Sequence, residues 1–328
     1  MTDIKRGAAA FFLVILSLSA WMTPAFAQQS TYPSKPIRIL VPLVPGGLTD
    51  LMSRVIGQKI SESWGQPTIV DNRPGASGQI ASDIVAKATP DGHTLVSVSL
   101  AHAVNASIYS KLPYDTVRDF TPVIYLADTP QILFVTPQLK VSSVRELIAL
   151  AKAKPGGLNF SSGGVGGSSH MAMELFRYTV GIDLQHIPYK GGAQATLELV
   201  ANRVELNFGQ WVSSGRFIKS GQLRALGVST PKRIAVLPDT PTIAESGVPK
   251  FESRSWYGIL APAKLPKPIL TKLHSEITRI VSGPDFGAKF ASEAVVFGDM
   301  TSDQFSEFIR DEIRRYAAVV KAAKLTTD

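Results

Sequence analysis

Three strand-to-helix turns in this sequence are rich in hydrogen-bond donors and poor in nucleophiles. The first is Val44-Pro45-Gly46-Gly47-Leu48-Thr49-Asp50. Glycines let backbone N–H groups approach an anion closely, and an opening helix adds partial positive charge. Gly46 and Gly47 supply the amides and Thr49 a hydroxyl; the plain alternative is a turn capped by Thr49 or Asp50. The second turn is Ser161-Ser162-Gly163-Gly164-Val165-Gly166-Gly167-Ser168-Ser169-His170. Its hydroxyls and flexible amides, with Ser162, Gly166 and Ser168 foremost, converge where the next helix begins. A carboxylate leaving water needs several donors of this kind at once. The third is Pro188-Tyr189-Lys190-Gly191-Gly192. Tyr189 offers an aromatic wall and a hydroxyl, while Lys190 reads as a ligand cation or as a solvated turn residue. In a fourth segment, Asn72 to Gly78, Ser77 is the binding candidate. Arg73 either clamps a carboxylate or pairs with Asp71 and holds the loop, and the structural role is preferred.

The reactions these turns do not support are equally legible. The glycines lack the Gly-x-Gly-x-x-Gly spacing of dinucleotide folds, and no Gly-Lys-Ser/Thr follows them. There is no Gly-x-Ser-x-Gly elbow, and Ser169 beside His170 is not a triad arrangement. His102, His170 and His186 lack Asp or Glu at metal-ligand spacing, so neither a metal nor a cofactor is expected. The chain has no cysteine, which removes disulfides and thiolate chemistry. Donors without a nucleophile–base pair describe a binding module and not an enzyme.

The elements that position these turns alternate strand and helix. Residues 37–42 read as a buried strand, Thr49 to Ser63 as a helix with Leu51, Met52, Val55, Ile56 and Ile60 on one face, and Thr68 to Val70 as a strand. A helix through Ile80, Ile84 and Val85 and a strand at Thr94 to Val96 complete a βαβαβ unit. The plan restarts with strands at Gln131–Val135, Leu158–Ser161, Leu184–Ile187, Val204–Phe208 and Leu223–Val228. Helices at Ser143–Ala153, Ser168–Tyr178 and Ala193–Val200 separate them. After a strand at Ser255–Ala261, helices are expected at Ile269–Val281 and Thr301–Lys324. The chain is read as two α/β lobes, residues 28–128 with 253–328 and residues 129–252. Two strand crossings, near 126–131 and 252–257, form a hinge, and the cleft between the lobes is the natural ligand site. Trp211 and Trp256 either wall that cleft or pack in the core.

Residues 1–27 read as a secretory signal: Lys5 and Arg6, an apolar run from Ala8 to Ala20, then Ala25-Phe26-Ala27. Loss of this segment removes two positive charges and one negative one, so the formal charge falls from +8 to +7. The basic residues are scattered without aromatic interleaving, which argues against nucleic acid.

At these motifs the sequence resembles the periplasmic receptors of tripartite tricarboxylate transporters, the Bug family. The matching segments are Pro45 to Asp50, Asp71 to Gly78, Pro90 to Leu95, Pro113-Tyr114-Asp115 with Asp119-Phe120, Ser162 to His170, His186 to Gly191 and Leu237 to Thr242. The resemblance implies a type II periplasmic-binding-protein fold and small carboxylate ligands. It implies delivery to integral membrane transporter subunits. Sensing for a membrane kinase and exported hydrolysis are the competing functions, and a monomer is expected. It also implies that main-chain and hydroxyl donors hold the carboxylate without an obligatory salt bridge. Two residues depart from the family pattern: His93 stands where Tyr is common, and Asn207 where an acid is frequent. If Asn207 lines the cleft, ligand choice shifts away from amino-bearing molecules.

Overall fold

The computed structural model describes residues 32–326, so the segment read as a signal lies outside the described residues. The chain opens with β1 (Ile37–Val41), α1 (Leu48–Trp64), β2 (Thr68–Asn72), α2 (Gln79–Ala86), β3 (Thr94–Ser99), α3 (Leu100–Ile108) and β4 (Phe120–Pro130). It continues with β5 (Ile132–Val135), α4 (Val144–Ala153), β6 (Asn159–Ser162), α5 (Ser168–Val180) and β7 (Gln185–Pro188). Next come α6 (Gly192–Val200), β8 (Leu206–Gly209), α7 (Trp211–Lys219) and β9 (Arg224–Val228). It returns through β10 (Arg254–Pro262), α8 (Lys267–Val281), α9 (Pro284–Phe290), β11 (Val296–Phe297) and α10 (Ser302–Ala322).

Two sheets result, ordered β11-β4-β10-β3-β1-β2 and β7-β6-β8-β5-β9. Their inner plans match. In the first, β2, β1 and β3 are parallel and β10 runs against both β3 and β4. In the second, β7, β6 and β8 are parallel and β5 runs against both β8 and β9. One antiparallel strand, arriving from the other sheet's side of the chain, is thus inserted at the same place in each. β1 reads Ile-Arg-Ile-Leu-Val with four of five residues buried, as expected where helices cover both faces.

The sheets are linked at two adjacent points. β4 runs straight through Pro130 and Gln131 into β5, and the return passes Ser253 into β10. Buried polar contacts tie the crossings together. Ser229 N–H donates to Gln131 O at 2.8 Å, Gln131 N–H to Ser229 Oγ at 2.8 Å, and Ser253 N–H to Ser229 O at 3.1 Å. Satisfying these backbone groups with one another and with the Ser229 hydroxyl lets the chain leave one sheet with these donors paired.

The sequence reading missed α3, α7 and most of β4. α3 (Leu-Ala-His-Ala-Val-Asn-Ala-Ser-Ile) is buried on most sides, so it has no polar face to reveal its period. Trp211, read as either a cleft wall or a core residue, opens α7 and packs in the core, and Gly215 has no Cβ where the Trp211 ring lies, 2.6 Å from the ideal position. Trp256 is buried in β10 and donates from Nε1 to Glu312 Oε2 at 3.1 Å. Among the described residues, no helix is long and apolar enough to cross a membrane.

Candidate ligand-binding site

In open α/β sheets the loops beyond the carboxyl ends of parallel strands form the ligand crevice. Here β1, β6 and β7 each end in such a loop, and each loop opens a helix whose N-cap is a glycine: Gly47, Gly167 and Gly191. None of these glycines carries a side-chain cap. Among the described helices only α4 and α10 are capped by a side chain. Ser143 accepts from Glu146 N–H at α4, and Thr301 and Gln304 form a reciprocal capping box at α10.

The three helices that follow β1, β6 and β7 share a different contact. A side chain at the third helical position accepts the backbone N–H four residues earlier, just before the N-cap. Gly46 N–H donates to Asp50 Oδ2 at 3.0 Å, Gly166 N–H to His170 Nδ1 at 3.1 Å, and Lys190 N–H to Gln194 Oε1 at 3.1 Å. This latch fixes the approach of the chain and leaves the first amides of each helix for something else.

Around the latches the turns are braced. Asp50 also accepts from Asn72 Nδ2 at 2.9 Å and Arg54 Nε at 3.0 Å, and Asn72 Nδ2 reaches Leu43 O at 3.0 Å. Burial works to raise the Asp50 carboxyl, but the hydrogen bonds from Arg54, Gly46 and Asn72 outweigh it and hold the group below its ordinary range. In the β6–α5 turn, Gly163 N–H donates to Ser169 Oγ at 3.0 Å and Gly164 N–H to Ser162 Oγ at 3.1 Å. Ser162 Oγ lies 2.6 Å from His186 Nε2. That pair has the types of a nucleophile and base, but Ser162 is fully buried, which closes it to a substrate. A Cβ on Gly163 would stand 2.9 Å from Gly192 N, so only glycine lets the β6–α5 turn lie against the start of α6.

The histidines have more company than the sequence reading allowed. His170 has Glu174 one helical turn on, with Nε2 to Oε1 at 3.7 Å, and it stacks on His186 at 3.9 Å between centroids. The i, i+4 carboxylate was overlooked. Glu174 is bound by Arg177 at 2.7 Å, and among the described residues no three His, Cys, Asp or Glu side chains group to hold a metal.

The eight candidates fall into two sets. Gly46, Ser162 and Gly166 have their polar groups engaged inside the turns, as above, and Ser77 Oγ donates to Val165 O at 2.9 Å. That bond joins the loop after β2 to the β6–α5 turn, and Gly166 lies beside Val104 and Ile108 of α3. The carboxyl edges of the two sheets therefore meet. Gly47, Thr49, Ser168 and Tyr189 form the second set. Thr49 Oγ1 is buried without a hydrogen-bond partner, and among the described residues no side chain engages the hydroxyls of Ser168 and Tyr189. Arg73 pairs with Asp71 at 3.0 Å. Asn207 is buried and donates from Nδ2 to Ser161 Oγ at 2.8 Å.

Sequence reasoning missed Gln210, which follows β8 as the N-cap of α7 and donates from Nε2 to Thr129 Oγ1 at 2.8 Å and to Tyr257 Oη. It ties the second sheet's carboxyl edge to both long strands of the first. Its signal was positional only: a polar residue between a strand and a helix that was itself missed. An open groove of about 410 Å³ beside Tyr109, Tyr114 and Arg118 contains none of the eight candidates.

The family model "Tripartite tricarboxylate transporter family receptor" matches residues 52–325. Protein BugT of Bordetella pertussis is 37% identical over 293 residues, 89% of this chain and 90% of that protein. The structure of R. palustris Rpa4515 with adipate superposes with a TM-score of 0.83 at 34% identity, covering 90% of this chain and 99% of that one. MatC from Rhodopseudomonas palustris with bound malate superposes at 0.81 with 29% identity, covering 88% and 100%.

Proposed function

The chain belongs to the tripartite tricarboxylate transporter receptor family, and from that premise we propose that it captures a small carboxylate-bearing metabolite in the periplasm and delivers it to integral membrane subunits of a transporter of that type. The fold is the type II periplasmic-binding-protein fold, two α/β lobes on a two-strand hinge. In our reading the lobes are residues 28–128 with 253–328 and residues 129–252, the receptor works as a monomer, and residues 1–27 are removed on export.

The observation that carries the reading is the set of three glycine-capped helix ends whose latches leave their leading amides free. A carboxylate placed there exchanges water for charge-assisted hydrogen bonds, each contributing roughly 1.5–3 kcal/mol when well aligned. Gly47, Ser168 and Tyr189 donate to it directly, while Thr49, whose Oγ1 is buried, stands in the first turn of α1. Gly46, Ser77, Ser162 and Gly166 hold the turns that present those donors. Adipate in Rpa4515 and malate in MatC support a dicarboxylate or hydroxy-dicarboxylate as the ligand class, and no cofactor enters the cycle.

Native mass spectrometry of gently purified protein, followed by calorimetric titration with adipate and malate, tests the proposal. A co-purified carboxylic acid or saturable binding of either acid is the expected result. No co-purified acid together with silent titrations across linear and hydroxylated C4–C6 diacids would count against a carboxylate receptor.

A further inference from the structure

Resting on the carboxylate-receptor reading above, we propose that His170 is a positioning residue: its neutral imidazole holds the β6–α5 turn in ligand-receiving shape by accepting the Gly166 N–H at Nδ1. The ring is 1% exposed, so it acts through the backbone and not by touching a solute. Its plane is fixed by stacking on His186 at 3.9 Å and 16°, and His186 stacks in turn on Phe160 at 4.7 Å and 17°. An N–H donating to Nδ1 at 3.1 Å requires a bare lone pair there, which places the ring proton on Nε2. Nε2 faces the Glu174 carboxylate at 3.7 Å, and Arg177 and then Asp183 extend the chain of charges at 2.7 and 3.1 Å.

The surroundings keep the ring neutral. Burial, then the neighbouring His186 and Arg177, push its pKa down to about 3. A proton on Nδ1 would set two N–H groups against each other and expel Gly166 from its place. Gly166 needs such a hold: its φ of +74° is in the left-handed region, and a Cβ there would stand 3.1 Å from Ile108 Cδ1. Two residues further on is Ser168, whose hydroxyl direction follows from the turn. The role is therefore specific to an acceptor at the Nδ1 position and not to bulk.

The test uses full-length mature protein, ¹⁵N-labelled, as wild type and as His170→Asn and His170→Gln. Asparagine places its Oδ1 where Nδ1 stands, whereas glutamine places its acceptor nearer Nε2. In the wild type, ¹⁵N spectra should show a bare Nδ1 and a protonated Nε2, and the Gly166 amide should exchange slowly. That slow exchange should survive in His170→Asn and be lost in His170→Gln. Adipate affinity should fall about tenfold in His170→Gln and stay within about threefold in His170→Asn. A protonated Nδ1 in the wild type, or equal Gly166 protection in both variants, would overturn the proposal. Failure of adipate to bind the wild type would fall on the choice of ligand class, while the tautomer and exchange readings still decide the role of His170.

Discussion

The β1–α1 turn of the first sheet and the β6–α5 turn of the second solve one geometric problem with opposite electrostatics. Both end a parallel strand, both open a glycine-capped helix, and both latch the amide before the cap with the third helical side chain. In the first turn the latch is the Asp50 carboxylate, stabilised by Arg54, Gly46 and Asn72. In the second it is a neutral imidazole. An anion at a helix N-terminus offsets part of the macrodipole before any ligand arrives. The second turn keeps its full attraction for a carboxylate, with the Ser168 hydroxyl beside it. The first suits a hydroxyl or a second, less demanding oxygen. Identical backbone geometry thus does not imply identical subsites: the charge of the latch assigns them.

The largest effect should follow from Ser168→Ala. It removes a donor from the attractive turn without disturbing a latch, and adipate affinity should drop about tenfold to a hundredfold with an unchanged melting temperature. Calorimetry beside thermal unfolding checks this; a neutral result would move the carboxylate to the other turn and reverse the assignment. Asp50→Asn keeps an acceptor for Gly46 but removes the charge. Adipate should bind about two- to fivefold more tightly, the scale of one charge near a helix end. Weaker binding in a folded variant would show that Asp50 serves the ligand directly.

The smallest effect is a difference in how the latches titrate. The His170 pKa falls from 6.5 to about 3 in the fold. Between those values the unfolded chain binds a proton that the folded chain refuses, so stability is complete above about pH 6.5 and declines as pH falls toward 3. His186 and His102, each lowered to about 4 by burial, act in the same direction. Glu174, pushed up by burial, opposes them above its ordinary value. The informative measurement is therefore a comparison of slopes. His170→Asn should flatten the loss of melting temperature between pH 6.5 and 4.5. Asp50→Asn should not, because a lowered carboxyl contributes above about pH 3.8 and is lost only as pH falls through its folded pKa. Equal slopes would mean that the His170 ring is already charged in the fold.

The turns themselves were legible because Gly46-Gly47, Ser162 to Ser169 and Gly191-Gly192 interrupt apolar periodicity at strand ends, where backbone amides must go somewhere. The alternation of strand and helix was legible for the same reason. What the sequence hid was which donors are already used. Nothing in the spacing of Ser162 and His186, 24 residues apart, reveals that β6 and β7 pair and bring them to 2.6 Å. The same holds for Ser77 and Val165, 88 residues apart. The i, i+4 contact of His170 with Glu174 could have been read from the helix period and was not. α3 escaped because a helix buried on most sides carries no amphipathic signature, and Gln210 escaped with α7.

The backbone contact of Gly163 with the start of α6 bears on how this receptor could change its diet. Two donor-bearing turns lie against each other with no room for a side chain between them, so neither main chain can drift alone. Novelty must enter at the tips, through residues such as Ser168, Tyr189 and Lys190, whose replacement leaves the shared platform untouched. New specificities are then reached by single substitutions on an unchanging scaffold, and a library confined to those three positions samples them without risking the fold.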